Sequence, residues 1–296
     1  MKQGIVDSHF HIWRQKDLPW LNGPMVPRIF GPYEPIRRDY PITEYLGDLQ
    51  GTGVEKAVYV QTNWAKADFE DEVDWVSATA KEFGWPHAIV AFADMSVDDV
   101  RPQLDRLKVY PLVRGVRMQL HWHAVEQYRF APHAGQVVDP AIRANIARLK
   151  DYGFSFDLQL FPAQMKDGAR LVAENPQTDF ILTHCGMLVD REPATTAAWQ
   201  DGLRQFAGLK NFYAKLSGLG TFVHRNDPEL VGFVVDQAVD ILGSDRLMFG
   251  SNFPIEKLWT DYPTIIETYR QATGLRDPAA QRTMLRETAM RVYRPM

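Results

Sequence analysis

Cysteine is nearly absent from this chain, since Cys185 is the single one among 296 residues. One cysteine cannot form an intramolecular disulfide, and we interpret Cys185 as a small buried residue. Long apolar runs are also missing, because no stretch of about 18 apolar residues occurs. Asp7 and His9 come before any run that would suit a signal peptide. The sequence therefore predicts a soluble globular protein, with the cytoplasm as its default location.

Positive charge is not in excess either. The chain has 33 Lys and Arg residues against 37 Asp and Glu, which gives a net charge of -4. This balance argues against nucleic acid as the main partner. The motifs G-x-G-x-x-G, the P-loop, G-x-S-x-G and H-E-x-x-H are missing as well. The expected partner is thus a small-molecule substrate, with no nucleic acid and no membrane. The sequence does not decide between a monomer and a homo-oligomer.

What the chain does contain is an alternation of short apolar runs with longer amphipathic stretches. Such alternation predicts a parallel sheet with helices outside it. Eight units in a chain of this length are typical of a single-domain (β/α)8 TIM barrel, here residues 1–296. An open doubly wound sheet is the competitor, but its first turn is usually glycine-rich, and "DSHFHIW" stands there instead. The predicted strands are Gly4–Ser8, Lys56–Gln61, Ala88–Ala93, Arg114–Gln119, Ser155–Leu160, Asp179–Thr183, Phe212–Leu216 and Arg246–Gly250. The predicted helices are Phe69–Phe83, Val97–Val109, Pro140–Tyr152, Ala163–Glu174, Thr196–Ala207, Pro228–Leu242, Tyr262–Thr273 and Pro278–Tyr293.

Two connections are too long to be simple links between a strand and a helix. One runs from Trp13 to Pro41 and the other from His121 to Asp139. They follow the first and fourth predicted strands, at the barrel end where active sites form. Long loops in a compact domain are usually functional or disordered. We therefore expect both loops to form walls or lids of an active site.

Histidines mark the ends of two predicted strands. His9 and His11 in "HFH" alternate along an extended chain, so their side chains share one face while Phe10 points the other way. Two imidazoles on one face can hold one metal ion. His184 ends the sixth predicted strand, "DFILTH". The barrel would bring these three imidazoles to one mouth, as a catalytic site with or without a metal.

Other polar residues on predicted strands are candidates for the same mouth. Arg117 alternates with Gln119 on the fourth strand, and its guanidinium suits a substrate carboxylate, although an ion pair inside the barrel is an equal alternative. Further pocket candidates are Gln61, Asn63, Gln159, Lys215 and Ser217.

A second alternating pair, His121 and His123 in "HWH", opens the loop that follows the fourth strand, and Tyr128 lies further along it. A second metal site is one interpretation of this pair. The interpretation that we favour is a substrate-binding role for all three residues.

Six segments, taken in order, resemble the amidohydrolase superfamily, and specifically its amidohydrolase 2 branch of metal-dependent barrel hydrolases. They are "VDSHFHIW", "RGVRMQL", "FDLQLFPAQ", "ILTHCGM", "AKLSGLG" and "MFGSNFP", which follow the chain from end to end. Within that branch the chain looks most like sugar lactonases and the lactonases of aromatic breakdown.

This resemblance implies a divalent metal, usually zinc, on His9, His11 and His184, although some lactonases of the branch are thought to work without one. It also implies a catalytic aspartate on the eighth strand, where this chain has Asn252. The usual fifth-strand histidine of the superfamily is replaced by Gln159. An asparagine side chain cannot take up a proton at any relevant pH.

The resulting hypothesis is a hydrolase that acts on a small-molecule lactone or a related cyclic ester or amide. Arg117, Lys215 and Asn252 would assist catalysis, and a neutral histidine such as His184 would serve as the base. Two alternatives remain open at this point. One is a metal-dependent decarboxylase of an unsaturated carboxylic acid, and the other is an inactive barrel that only binds a ligand.

Overall fold

The computed structural model describes residues 4–296, and its eight strands form one parallel sheet. The order in the sheet follows the order in the chain, from β1 to β8. The predicted (β/α)8 TIM barrel in a single domain is thereby confirmed. The strands are β1 Ile5–Phe10, β2 Val54–Val60, β3 Ala88–Phe92, β4 Val113–Arg117, β5 Ser155–Leu158, β6 Phe180–Leu182, β7 Phe212–Leu216 and β8 Leu247–Phe249.

The strands are apolar because both of their faces are buried. Val58 and Val60 of β2 belong to a cluster inside the barrel, whereas Ala57 and Tyr59 pack outward against the helical layer. The inner cluster is closed at the bottom by Tyr293, near the C-terminus. This two-sided burial is what makes the strands nearly continuous runs of Val, Ile, Phe and Leu.

The helices cover the outside of the barrel, and most of them lie close to their predicted positions. They are α1 Pro19–Asn22, α2 Ile42–Asp48, α3 Phe69–Phe83, α4 Arg101–Lys108, α5 Pro140–Ile146, α6 Leu149–Tyr152, α7 Met165–Glu174, α8 Pro193–Arg204, α9 Pro228–Leu242, α10 Tyr262–Gly274, α11 Pro278–Arg282 and α12 Thr288–Tyr293. None of them, within residues 4–296, has the length and apolar character needed to cross a membrane.

Four elements differ from the predicted ones. The helix predicted over Pro140–Tyr152 is two helices, α5 and α6, and a π-helical turn at Thr283–Glu287 separates α11 from α12. Helix α2 was not predicted, although its buried Ile42 and Tyr45 are spaced as one helical face. β1 runs two residues further than predicted, so that His9 and Phe10 are still strand residues.

The junction between β1 and β8 positions the site. At this junction Asn252 N donates to His9 O at 2.7 Å, and His11 N donates to Phe253 O at 2.8 Å. Gly250 permits this approach, because a Cβ there would lie 2.7 Å from His9 Cβ. The first and last strands therefore bring "HFH" and "SNF" into contact.

Candidate active site

A cavity of about 1000 Å³ opens at the C-terminal end of the strands. Both long loops line it, the first through residues such as Trp20 and Phe30 and the second through residues such as Arg129 and Phe130. The predicted site residues in its lining are His11, Gln61, Asn63, Arg117, Gln119, His121, Gln159, His184 and Asn252. A concave site of this size, with aromatic walls and polar groups at its base, suits a small organic ligand.

Asp7 is the residue that fixes the floor of the cavity. Its buried carboxylate accepts hydrogen bonds from Ser251 Oγ at 2.6 Å, Tyr262 OH at 2.7 Å and Tyr45 OH at 2.9 Å. It also accepts from the backbone N–H groups of Ser251 and His9. These bonds hold the backbone of His9 itself and of Ser251, the residue before Asn252, and so they fix where both side chains start.

The three histidines of the predicted site lie together. The ring centroid of His9 is 5.0 Å from that of His11 and 4.9 Å from that of His184. His9 is fully buried and lies below the cavity lining, whereas His11 and His184 reach the lining itself. The sequence therefore located the histidine cluster, and the structure decides which members face a ligand.

His184 is held in one orientation by its neighbours. Its Nδ1 lies 3.0 Å from Ser217 Oγ, which leaves Nε2 as the nitrogen available to a ligand in the cavity. The backbone of His184 is left-handed, with φ of 53°, as is that of Cys185 with φ of 46°. Such backbone costs free energy in a non-glycine residue and concentrates at functional sites. Cys185 itself is buried in the outer core, and burial raises the pKa of its thiol to about 12.

Asn252 lies near a histidine and an acid. His11 Nδ1 is 2.6 Å from the carbonyl of Val60, and the Asn252 amide interacts with the same imidazole ring. The Asn252 amide also lies near the buried carboxyl of Glu256 and opposes the rise that burial gives to the pKa of that carboxyl. Asn252 also has a left-handed backbone, with φ of 57°, a conformation that asparagine tolerates better than most residues.

Arg117 brings positive charge to the base of the cavity. Its side chain is buried, and Nη2 donates to the carbonyl of Gln61 at 2.6 Å. Burial lowers the pKa of Arg117 to about 10, so the guanidinium stays charged at neutral pH. The charged side chains in the lining are Arg28, Lys66, Arg117, Glu126 and Arg129.

Several buried polar atoms around this cavity have no hydrogen-bond partner within residues 4–296. They are Arg28 Nε, Gln61 Nε2, Trp64 Nε1, Arg117 Nε, Gln119 Oε1, His121 Nδ1, Gln159 Oε1 and, below the lining, His9 Nε2. A buried polar atom without a partner costs about 1–3 kcal/mol, and native proteins keep few of them. Their concentration at one cavity indicates a surface built for a polar ligand.

Lys215 is not part of the cavity lining. Its side chain is fully buried, and Nζ lies 2.6 Å from Asp157 Oδ2 in an equally buried ion pair. Tyr293 OH donates to the other oxygen of Asp157 at 2.6 Å. The prediction of a catalytic role for Lys215 did not consider this ion pair. The paired ammonium lies inside the barrel, below the histidines.

The second histidine pair divides between two environments. His121 lines the cavity and is buried, whereas His123 is half-buried and lies outside the lining. Tyr128 is also outside the lining; its ring centroid is 5.2 Å from that of His123 and 5.3 Å from that of Phe222. His123 and Tyr128 thus belong to the second long loop but are not among its cavity-lining residues.

The histidines are neutral in this site. Burial, and then the charge of Arg117, lowers the pKa of His11, His121 and His184 to about 3 in each case. Burial followed by the charge of Lys215 lowers the pKa of His9 still more clearly. Each neutral imidazole has a lone pair on one ring nitrogen, which can bind a metal ion or accept a proton.

These residues do not fit a divalent metal ion. Within the described part of the chain, no three His, Cys, Asp or Glu side chains are arranged to hold one. His9 Nδ1 lies 3.5 Å from the Lys215 ammonium, which places the ring proton on Nε2, and the Asn252 amide adjoins His11. Arg117 adds positive charge, and the carboxylate of Asp157 is already paired. We therefore derive no step through a metal.

Two residues of the site were missed by sequence reasoning. Glu256 follows Asn252 by four residues, and its carboxyl is buried near the Asn252 amide. Arg28 lies in the first long loop, where its guanidinium stacks 5.5 Å from the Trp20 ring. The spacing "NFPIE" was a signal for Glu256, whereas nothing local distinguishes Arg28 from the other loop arginines.

Comparison with known proteins relates the whole chain to one family. The uncharacterized protein y4mH of Sinorhizobium fredii is 31% identical over 294 residues, which is 98% of each chain. The L-fucono-1,5-lactonase of Burkholderia multivorans is 27% identical and covers 97% of this chain and 95% of its own. The crystal structure of a Burkholderia multivorans amidohydrolase with bound zinc superposes with a TM-score of 0.82, at 24% identity, over 99% of this chain and all of that one.

The sequence profile described as Amidohydrolase matches residues 6–294, nearly the full length of the chain. The eight-stranded barrel of this chain agrees with the fold of that solved amidohydrolase. This protein belongs to the amidohydrolase family.

Proposed function

We propose that this protein hydrolyses a lactone that carries an anionic group, such as a carboxylate. The observation that supports this most strongly is the set of unpartnered polar atoms around Arg117 in a cavity where cationic side chains outnumber the single acidic one. Hydrolysis of a cyclic ester agrees with the related L-fucono-1,5-lactonase. The anionic group is the part of the proposal that rests on this cavity alone.

Arg117 would bind the anionic group of the substrate. Its free Nε and its buried guanidinium can form a charge-assisted pair with a carboxylate, which is stronger than a neutral hydrogen bond. Arg28 faces the same cavity and also has an unpartnered Nε. A substrate with one or two carboxylates would offset the positive charge that these residues bring together.

His184 would act as the general base. Its Nε2 would take a proton from the attacking water while the water oxygen bonds to the lactone carbonyl carbon. The bond from that carbon to the ring oxygen then breaks, and the same proton passes to the ring oxygen, which leaves still attached to the product. Since Arg117 is one cause of the low pKa of His184, a bound carboxylate on Arg117 would make His184 a stronger base.

Asn252 would polarise the carbonyl. Its side chain lines the cavity, and an NH2 group directed at the developing oxyanion would stabilise it. This role requires a hydrogen-bond donor rather than a proton acceptor. The NH2 group of asparagine is such a donor, whereas an aspartate carboxylate can only accept.

A panel of lactones tests the proposed function. Purified protein is incubated with neutral sugar 1,5-lactones, among them L-fucono-1,5-lactone, and with γ- and δ-lactones that carry a carboxylate, and acid release is followed with a pH indicator. We expect kcat/KM to be at least about tenfold higher for carboxylated lactones, since one charge-assisted contact is worth about 1.4 kcal/mol or more. Preference for the neutral lactones would refute the anionic specificity. Release of carbon dioxide without ring opening would refute the lactonase and indicate a decarboxylase.

Removal of metal gives a separate prediction. We expect protein dialysed against a chelator to keep its lactonase activity within about twofold, because no three ligating side chains of residues 4–296 are arranged to hold an ion and Arg117 places positive charge beside His11 and His184. Added zinc should raise the activity by less than about twofold. A loss of tenfold or more that zinc restores would contradict the metal-free mechanism, and elemental analysis of both samples serves as the control.

A further inference from the structure

Glu72 is a buried acid on α3 that the mechanism above does not use. It is 1% exposed and lies outside the cavity lining. Its Oε1 accepts three hydrogen bonds, from Thr62 N at 2.6 Å, from Tyr59 OH at 2.7 Å and from Thr62 Oγ1 at 3.0 Å. Its Oε2 has no partner within residues 4–296. Glu72 therefore holds the turn that follows β2, and the turn residues Gln61 and Thr62 line the cavity.

The peptide bond between Gln61 and Thr62 connects Glu72 to Arg117. Its N–H, which belongs to Thr62, donates to Glu72 Oε1 at 2.6 Å. Its carbonyl, which belongs to Gln61, accepts from Arg117 Nη2 at 2.6 Å. The bond is trans, so its N–H and C=O point in opposite directions from one rigid plane. The acid thus lies on one side of this peptide and the guanidinium on the other, and a hydrogen bond at either end strengthens the one at the opposite end.

Other hydrogen bonds hold the same turn from two further directions. Gln61 N donates to Val90 O of the neighbouring strand β3 at 2.9 Å. The carbonyl of Thr62 accepts from Trp20 Nε1 at 2.9 Å, which ties the turn to the first long loop. Glu72 supplies the acceptor for the peptide that the guanidinium contacts, so its loss would release the turn at this peptide.

We propose that Glu72 is a positioning residue for Arg117, because it holds the Gln61–Thr62 peptide with the carbonyl directed at Nη2 of the guanidinium. This contact fixes the guanidinium by one nitrogen, while its buried Nε has no partner within residues 4–296 and remains available to a ligand. The inference rests on the proposed function, since the expected ligand of Arg117 is the carboxylate of the lactone. Loss of Glu72 should therefore weaken the binding of carboxylated substrates and leave the chemistry at His184 intact.

The positioning role depends on an acceptor oxygen and not on a negative charge. Burial raises the pKa of the Glu72 carboxyl, and the hydrogen bonds from Tyr59 and Thr62 lower it. A proton bound to this acid would lie on Oε2, since Oε1 already accepts three hydrogen bonds. A glutamine side chain keeps a carbonyl oxygen in this place, whereas a methionine of similar length offers only a weak thioether acceptor.

Two substitutions of Glu72 therefore test the proposal by kinetics. We expect Glu72→Met to raise KM for the preferred carboxylated lactone by about tenfold, the equivalent of one charge-assisted contact. The kcat for that lactone, and both constants for a neutral lactone, should change by less than about threefold. Glu72→Gln should keep KM for the carboxylated lactone within about threefold of wild type. The matched control is Glu82→Met, the same substitution at an exposed position of α3, which should leave every constant unchanged.

A substrate-free measurement tests the peptide link whether or not the protein is a lactonase. The backbone amide proton of Thr62 should resonate at low field in 15N-labelled protein, because its N lies 2.6 Å from a carboxyl oxygen. Arg117→Met should move this resonance upfield, since the guanidinium no longer polarises the peptide. Arg129→Met is the matched control and should leave it unchanged. Arg129 also lines the cavity, but it donates to carbonyls of its own loop.

The other outcomes overturn the proposal. An unchanged KM in Glu72→Met means that Arg117 keeps its position without the acid. Equal losses on carboxylated and neutral lactones mean that Glu72 supports the whole cavity rather than Arg117. A Glu72→Gln protein as impaired as Glu72→Met means that charge matters and not the acceptor oxygen.

The amide resonance decides the cases that kinetics cannot reach. A Thr62 resonance that Arg117→Met leaves in place means that the peptide does not link the two side chains, and it overturns the proposal. This result needs no variant of Glu72, so it holds even where Glu72→Met does not fold. If no lactone is turned over, the proposed function fails, while the resonance still decides whether the peptide connects Glu72 to Arg117.

Discussion

Replacement of His184 by asparagine is expected to lower kcat for the preferred lactone by about 10²–10⁴-fold, the usual contribution of a positioned general base. The shorter amide side chain could still bond to Ser217, because it reaches where Nδ1 now lies, but it has no basic nitrogen in place of Nε2. KM should change by less than about threefold, since the substrate carboxylate binds to Arg117. Steady-state kinetics of both proteins provide the measurement.

The matched control is His133→Asn, the same substitution at an exposed histidine. His133 lies 3.1 Å from Asp139 at the surface, with 55% of its side chain exposed, and its loss should leave kcat unchanged. A His184→Asn variant that keeps more than a tenth of wild-type kcat would contradict the assignment of His184 as the base. In that case another histidine in the cavity lining, His121, becomes the next residue to replace.

Replacement of Lys215 by methionine is expected to lower the free energy of unfolding by about 3–5 kcal/mol, the cost of leaving one partner of a buried ion pair unpaired. Both side chains are fully buried, with Lys215 Nζ 2.6 Å from Asp157 Oδ2, so among residues 4–296 the lone carboxylate would keep Tyr293 as its side-chain donor. The additional substitution Asp157→Leu should recover most of the loss, since it removes the unpaired charge. Urea unfolding at pH 7 measures both variants.

The matched control is Lys66→Met. Lys66 also lies 2.6 Å from its partner, Asp94, but 63% of its side chain is exposed. An exposed pair contributes about 0–1 kcal/mol, so this variant should be nearly as stable as wild type. A Lys215→Met protein of wild-type stability with a greatly reduced kcat would show instead that Lys215 acts in catalysis.

Much of the fold could be predicted because it depends on local patterns. Strands buried on both faces must be apolar throughout, which is why "AIVAFA" and "DFILTH" were recognisable without any structure. Element ends were less accurate. The π-helical turn at Thr283–Glu287 interrupts a pattern that reads as one helix, since the apolar spacing continues through it.

The candidate site was predictable only in part, because the position of a residue on a strand does not determine which groups its side chain contacts. His9, His11 and His184 follow strands, and the barrel places every strand end at one mouth, so counting strands was enough to group them. Lys215 also follows this rule in sequence, but its side chain pairs with Asp157 below the mouth. Whether a polar side chain meets a ligand or a neighbouring charge depends on contacts between residues far apart in the chain.

Asn252 shows where the division lies. The sequence alone determined the barrel, the family, the histidine cluster and the absence of an aspartate at position 252. Only the tertiary structure revealed that the carboxyl of Glu256 and the ring of His11 lie near the Asn252 amide. The physical reason is that hydrophobic periodicity is a local property of the sequence. The surroundings of an amide, in contrast, depend on donors and acceptors that are far apart in the chain and that only the fold brings together.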